Sequence, residues 1–271
     1  VTRGKLEAEE GKHLLEAVLR ACRRAGEIVG EHFRSSDLEV EHKADETPVT
    51  VADRGAEAAI RETLREAAPE FGFLGEEFGT EGSESDRWVI DPIDGTKNFV
   101  AGLPYFATLV ALEIGGEIEL GVVHAPALGE TWWALRGEGA YAMTGTELGE
   151  SKRLEVSTTS DLGQAFLCHG GLKHFIEGGL WPAFTEVVKG AGRTRGFGDW
   201  WGHVLVAEGR SDAMLDPIVA YHDVAAISLL VEEAGGVFTA LSDDPLGAGY
   251  TGPAMSSNSH LTVPLREKLS L

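Results

Sequence analysis

The hydrophobic period changes along this chain, so it has to fold from both helices and strands. From about Leu6 to Phe33, apolar side chains at Leu14, Leu15, Val18, Leu19, Cys22, Ala25, Ile28 and Val29 form a helical stripe. A second helix is expected after Thr50, with Ala56, Ala59, Ile60 and Leu64 facing inward, and it stops just before Pro69. Phe71 to Gly75 then reads as a short strand delivering Glu76 and Glu77. From Phe106 the pattern becomes β-rich. Phe106 to Ile114 and Ile118 to Val123 are strand-like runs joined by Gly115-Gly116, and Thr131 to Leu135 with Ala140 to Met143 form another hairpin around Gly137-Glu138-Gly139. The remainder alternates. Strands are expected at Ala165 to Cys168, Thr194 to Phe197, around Met214 and at Val237 to Leu241, with helices near Phe184 to Lys189, Trp200 to Ala207 and Asp223 to Ala234. No internal repeat or low-complexity linker is visible, and the 271 residues could form one large or two smaller domains, with approximate halves 1–150 and 151–271.

The most specific segment is Asp91-Pro92-Ile93-Asp94-Gly95-Thr96. Trp88-Val89-Ile90 before it is apolar and β-prone, which puts the acids at a strand's end, where α/β folds place their sites. Pro92 cannot donate a ladder hydrogen bond and favours leaving the strand there. Gly95 allows close backbone approach, and the amides after it can point at an anion. Two hard oxygen ligands beside an anion cradle suit Mg²⁺-dependent phosphate chemistry. Two further acidic positions stand far away in sequence: Glu76-Glu77 after Gly75, and Asp223 opening a helix that runs into Glu233-Ala234-Gly235-Gly236. Taken alone, Asp223 reads as a helix N-cap and Glu76-Glu77 as a solvated loop pair.

The formal charge of −21 argues against nucleic-acid and anionic-membrane partners, because an acidic body repels both. An anionic substrate would instead be drawn in by a bound cation. Cys22 and Cys168 lie far apart in apolar contexts, as two buried reduced thiols would. The start Val1-Thr2-Arg3 shows no apolar signal core and no stretch reaches transmembrane length, so a soluble cytoplasmic protein is the expectation. His124 and His203 fall in apolar runs and read as core histidines.

Gly75-Glu76-Glu77, the Asp91 to Thr96 element, and His222-Asp223-Val224-Ala225-Ala226 followed by Glu233-Ala234-Gly235-Gly236 resemble, in order and spacing, the signatures of the inositol monophosphatase family, from about residue 10 to residue 265. The resemblance implies a layered α/β fold of αβαβα type, often dimeric, and a phosphomonoesterase using two or three Mg²⁺ ions, with Mn²⁺ as a substitute. It implies metal ligation by Glu76, Asp91, Asp94 and Asp223 and by the backbone carbonyl of Ile93. Gly95 and Thr96 would bind phosphate through their amides, and Thr96 with Glu76 would orient the attacking water. Thr47 to Asp53 resembles a further family element that brings Asp53 to the edge of the metal cluster; by itself Asp53 reads equally as a first-turn helix carboxylate. The family usually carries Trp before the distal metal Asp, where this chain has His222.

Within the family, Lys97 to Val100, Gly102-Leu103-Pro104, Trp132 to Ala140, Gly196 to Asp199 and Met214 to Ile218 resemble the histidinol-phosphate phosphatases more closely. That points to L-histidinol phosphate, whose ammonium and imidazole carboxylates can bind, with Asp216 and Asp199 as the acids and Arg195 as a neighbour that pairs with one of them or braces the loop. Asp199 reads equally as a cap before Trp200, and Trp200 and Trp201 read as core or as walls of an imidazole pocket. Inositol-1-phosphate or a range of sugar phosphates is the rival substrate class, and a non-catalytic cation-binding scaffold is the rival of another kind. The stretch Lys43-Ala44-Asp45-Glu46 is a candidate for a loop closing over the site.

Overall fold

The computed structural model describes residues 6–35, 40–42 and 48–269. The candidate closing stretch 43–46, and Thr47 beside it, lie outside the described residues. The chain forms two compact units, the first running to Arg136 and including Tyr141–Lys152, the second comprising Gly137–Ala140 and the chain from Arg153 onward.

In the first unit, helix α1 (Ala8–His32) is followed by a two-stranded antiparallel ribbon, β1 (Val40–His42) and β2 (Pro48–Thr50), and by α2 (Val51–Ala67). Strands β3 (Gly72–Gly75), β4 (Gly79–Glu81) and β5 (Asp86–Asp94) come next, then a short helix α3 (Thr96–Val100). Strands β6 (Ala107–Ile114), β7 (Glu117–Ala125), β8 (Glu130–Leu135), β9 (Gly139–Thr144) and β10 (Lys152–Arg153) complete an eight-stranded sheet ordered β10-β9-β8-β7-β6-β5-β3-β4. Strand alternation decides what α1 and α2 cover. Trp88 and Ile90, Val110 and Leu112, and Leu120 and Val122 point from successive strands into one cluster with Leu15, Val18, Cys22, Ala56, Ile60 and Leu64 of the helices.

β5 departs from the sequence expectation. The strand does not end at Pro92 but continues to Asp94, with a register shift against β6 between Asp91 and Asp94. The missing proline N–H falls where the ladder is already interrupted, so the strand tolerates it.

In the second unit, β11 (Phe166–His169), α4 (Leu172–Glu177), α5 (Trp181–Gly190), β12 (Arg193–Arg195) and α6 (Asp199–Ala207) precede β13 (Ala213–Ala220) and α7 (Tyr221–Glu233). Strands β14 (Gly236–Ala240) and β15 (Thr251–Asn258) and helix α8 (Thr262–Leu269) follow. The sheet is mixed, ordered β12-β11-β13-β15-β14, with β11 parallel to both neighbours and β15 antiparallel to both of its own. Leu167, Leu215 and Met255 pack with Phe184, Val187, Leu265 and Leu269, while the adjacent Cys168 and Met214 pack with Leu205 and Val206. The one-residue offset sends α5 and α8 to one face and α6 to the other. Both thiols are free and buried, as the sequence suggested, and burial pushes Cys22 up to about 12.

Candidate active site

Three chain segments of the first unit supply the candidate site. β3 and β5 run parallel with Gly75 opposite Ile90, and the Glu76 N–H donates to the Ile90 carbonyl at 3.1 Å. Glu76 therefore leaves β3 beside the point where Asp91 continues β5. Asp91 is buried, and its Oδ1 accepts the Ile93 N–H at 3.0 Å, which stiffens the bulged turn made by Pro92. The Pro92 carbonyl is held by the Thr108 hydroxyl at 2.9 Å.

Gly95 follows with φ 84°, a left-handed conformation that suits glycine, and a Cβ there would lie 2.9 Å from the Tyr105 carbonyl oxygen. That turn opens α3 and sets the Thr96 hydroxyl, which donates to the Ile93 carbonyl at 2.9 Å and stands 3.5 Å from Asp53 Oδ1. Asp53 arrives from α2, whose N-cap is Thr50. The Thr50 N–H and hydroxyl both donate to Asp53 Oδ2, at 2.8 and 2.6 Å, and the Thr50 hydroxyl accepts from the Ala52 N–H at 3.1 Å. Asp53 is 1% exposed. Burial pushes its carboxyl up to about 6, the Thr50 hydrogen bonds oppose the rise, and the negative charges of Glu76 and Glu77 add to it.

Asp53, Glu76, Glu77, the Ile93 carbonyl and the Thr96 hydroxyl are thus an all-oxygen set carrying repelling negative charge, the donor chemistry of a hard divalent cation. Among the described residues, no three Asp, Glu, His or Cys side chains close on one point as a ready-made cage. An open site completed by backbone oxygen and water is the form that fits this set, and Mg²⁺ favours such sites because it gives up its waters reluctantly.

The second unit holds its own acids. Asp216 on β13 is buried, and its carboxyl sits well above the usual range, first through desolvation and then through the charge of Asp199; a hydrogen bond from the Ile218 backbone opposes this, and Asp223 adds a smaller like charge. Asp199 begins α6 at φ 54°, a strained conformation for a non-glycine residue. Gly198, not Asp199, occupies the N-cap. Asp223 sits at the third position of α7 and does not open it; its Oδ2 accepts the Ala220 N–H at 2.7 Å, and its Oδ1 lies 3.2 Å from His222 Nε2. Arg195 is exposed at the end of β12 and donates to the Thr194 carbonyl at 2.7 Å. Trp200 is fully buried, whereas Trp201 is half-buried and packs its ring 4.9 Å from that of Phe197.

His124 and His203 are core histidines, bonded through Nδ1 to Thr131 and Ser256 at 2.9 and 2.7 Å, and burial pushes them down to about 4 and about 3. Sequence reading missed Glu57, which is buried on α2 and bonded to the backbone just after Glu76. Its signal was the spacing Asp53, Glu57, Arg61, three polar residues on one helical face.

The profile of the inositol monophosphatase family matches residues 11–270. A histidinol-phosphatase of Streptomyces coelicolor is 43% identical over 235 residues, covering 85% of this chain and 87% of its own. An inositol-1-monophosphatase of Rhizobium meliloti is 36% identical over 266 residues, covering 94% and 95%. Among solved structures, an IMPase of Thermotoga maritima superposes with a TM-score of 0.80 at 31% identity, covering 93% of this chain and 94% of its own. With two mixed sheets and their helices, these matches identify the chain as a member of the inositol monophosphatase family.

Proposed function

We propose that this chain is a Mg²⁺-dependent phosphomonoesterase hydrolysing L-histidinol phosphate. The observation that carries the hydrolase reading is the all-oxygen set around Asp53, where burial above all, and then the charges of Glu76 and Glu77, push the carboxyl up to about 6. Glu76, Asp91, Asp94, Asp223 and the Ile93 carbonyl are assigned as ligands of two or three Mg²⁺ ions, or of Mn²⁺ in their place. Bound there, the cations supply Lewis acidity toward water and toward the departing oxygen. Thr96, fixed by the Ile93 carbonyl, orients the attacking water with Glu76, and Asp53 borders that water as an acceptor. The amides of Gly95 and Thr96 hold the phosphate.

Asp199 and Asp216 receive the organic part of the substrate, and Arg195 is assigned to the same subsite. A cationic amine relieves the like charge that Asp199 and Asp223 impose on Asp216, whereas a neutral polyol does not. The higher identity to a histidinol-phosphatase than to an inositol-1-monophosphatase supports the same choice. The inositol relative keeps inositol-1-phosphate as the second reading. We further place the enzyme in the cytoplasm as a homodimer handling a small phosphate monoester, with neither nucleic acid nor membrane as partner. No described helix is long and apolar enough to cross a membrane.

Phosphate release from both esters, with Mg²⁺ and with EDTA, tests the assignment. Preference for L-histidinol phosphate, lost selectively in Asp199→Asn and Asp216→Asn, is the expected result. Equal or reversed rates would remove the substrate assignment, and release that EDTA leaves intact would remove the metal role.

A further inference from the structure

One helical turn beyond Asp53, α2 carries Glu57, whose side chain is 0% exposed. Its Oε2 accepts the Glu77 N–H at 2.7 Å, and its Oε1 accepts the Phe78 N–H at 3.3 Å and Arg61 Nε at 2.8 Å. Arg61, itself buried, donates through Nη2 to the Gly79 carbonyl at 2.6 Å and reaches Glu81 Oε2 at 3.2 Å through Nη1. On the other side, a Cβ on Gly75 would lie 1.8 Å from Glu57 Oε1, so only glycine lets the strand pass this close. The buried pair therefore holds the backbone that follows Glu76, from Glu77 to Gly79, while Gly75 before it passes in close contact with Glu57.

Stability alone is a poor account of this arrangement. A buried ion pair loses in desolvation much of what it gains by attraction, and apolar replacements of similar volume commonly hold a fold as well. Apolar side chains would not, however, accept the Glu77 and Phe78 amides. A carboxylate that accepts backbone N–H groups fixes φ and ψ where the chain leaves β3, and Glu76 is the residue that this exit carries.

We propose that Glu57 is a positioning residue: by clamping the amides that follow Glu76 it fixes the direction of that carboxylate and so sets the site's affinity for divalent cations. This rests on Glu76 being a cation ligand. Glu57 touches neither substrate nor cation; it acts through the backbone.

The test is Mn²⁺ titration by calorimetry on the full chain at high ionic strength, which screens diffuse binding to the acidic surface. It is paired with amide hydrogen exchange at Glu77 and Phe78. Glu57→Gln is expected to weaken Mn²⁺ binding about tenfold, the equivalent of one lost charge-assisted hydrogen bond. Exchange at Glu77 is expected to accelerate, while KM for the phosphate ester at saturating Mn²⁺ stays within about twofold, since the phosphate contacts belong to other residues. A lower Tm with unchanged Mn²⁺ affinity would overturn the proposal, because a merely structural role gives that result. Glu57→Asp keeps the charge beside Arg61 while withdrawing the carboxylate from the amides; should the Gln variant not fold, weaker Mn²⁺ binding by Glu57→Asp supports the proposal and unchanged binding overturns it. Glu76→Gln separates the two levels. If it loses Mn²⁺ and Glu57→Gln does not, the positioning role fails alone; if Glu76→Gln binds Mn²⁺ normally, the site reading fails with it.

Discussion

Asp53→Asn should make the cation-free protein more stable and the cation-loaded protein relatively less so. The rise of the Asp53 carboxyl from its ordinary 3.8 to about 6 means the fold disfavours its charged form. Linked to folding, that rise corresponds to about 3 kcal/mol. The sign follows from proton uptake: with the folded value above the unfolded one, the contribution is fully present below 3.8 and is lost as pH rises through about 6. Asparagine removes the penalty, and its carbonyl can still accept from the Thr50 N–H and hydroxyl that now share Oδ2. A neutral acceptor makes weaker bonds, a loss of roughly 1 kcal/mol. The variant should therefore gain about 2 kcal/mol in EDTA at neutral pH. Most of that gain should vanish near pH 4, about the ordinary carboxylate value. Urea unfolding of both proteins across this range is the assay. Adding Mg²⁺ at about 100 times its Kd should stabilise the parent by about 2.7 kcal/mol and the variant by less, which narrows the gap between them. An asparagine variant no more stable than the parent in EDTA, or one gaining as much from Mg²⁺, would refute the argument that charge is held here against the fold's preference.

Three other expectations follow from particular contacts. His203, pushed down to about 3 by burial, stays neutral in the fold, so its contribution is present above the ordinary 6.5 and is lost on acidification; between neutral pH and about pH 5 the parent should lose about 2 kcal/mol more than His203→Gln in urea unfolding. Gly95→Ala must place a side chain at φ 84° and within 2.9 Å of the Tyr105 carbonyl, costing about 1–2 kcal/mol and shifting the Thr96 turn; kcat/KM should fall at least about tenfold while the circular dichroism spectrum persists. Gly170→Ala would set a Cβ 2.5 Å from Asp216 Oδ1, so it should erode the ratio of kcat/KM between the amine-bearing and the polyol ester by about tenfold, and an unchanged ratio would take Asp216 out of substrate choice.

The fold was legible where apolar period alone decided it. The α1 stripe and the hairpin at Gly115-Gly116 stand as the sequence implied, because burial and turn geometry both favour them. β15 was not legible. Its sequence, Thr251 to Asn258, contains Pro253 and ends in Ser256-Ser257-Asn258, which reads as a loop, yet all three terminal side chains are fully buried and the strand lies second from the edge of its sheet. Tertiary partners reverse the local preference: the Asn258 amide donates to Ser157 and to the Thr159 carbonyl, and its side-chain oxygen accepts from Leu261 N–H. Pro253 is tolerated because the pairing with β13 is already irregular between Asp216 and Val219. Glu57 escaped notice for a related reason. Its role depends on backbone amides 20 and 21 residues downstream, which helical period cannot display.

Under the proposed function, the capping and the functional readings of Asp53 and Asp223 are compatible with one another. Each stands at the third position of its helix, and each gives Oδ2 to the N-cap backbone N–H, from Thr50 at 2.8 Å and from Ala220 at 2.7 Å. The other oxygen faces elsewhere: Asp53 Oδ1 lies 3.5 Å from the Thr96 hydroxyl and Asp223 Oδ1 lies 3.2 Å from His222. Asp91 divides its labour in the same way, with Oδ1 holding the Ile93 amide. One oxygen of each carboxylate orients the side chain through the backbone, which under the proposed function leaves the other for a cation. Substitution by asparagine keeps an acceptor for the amide and removes the charge, so folding and cation affinity should separate in all three variants. Replacement by alanine removes both, and should cost about 1 kcal/mol of helix capping at Asp53 and at Asp223 in addition to the cation. If the asparagine and alanine variants unfold at the same urea concentration, the oxygens facing the amides contribute nothing to the fold, and the division of labour is wrong.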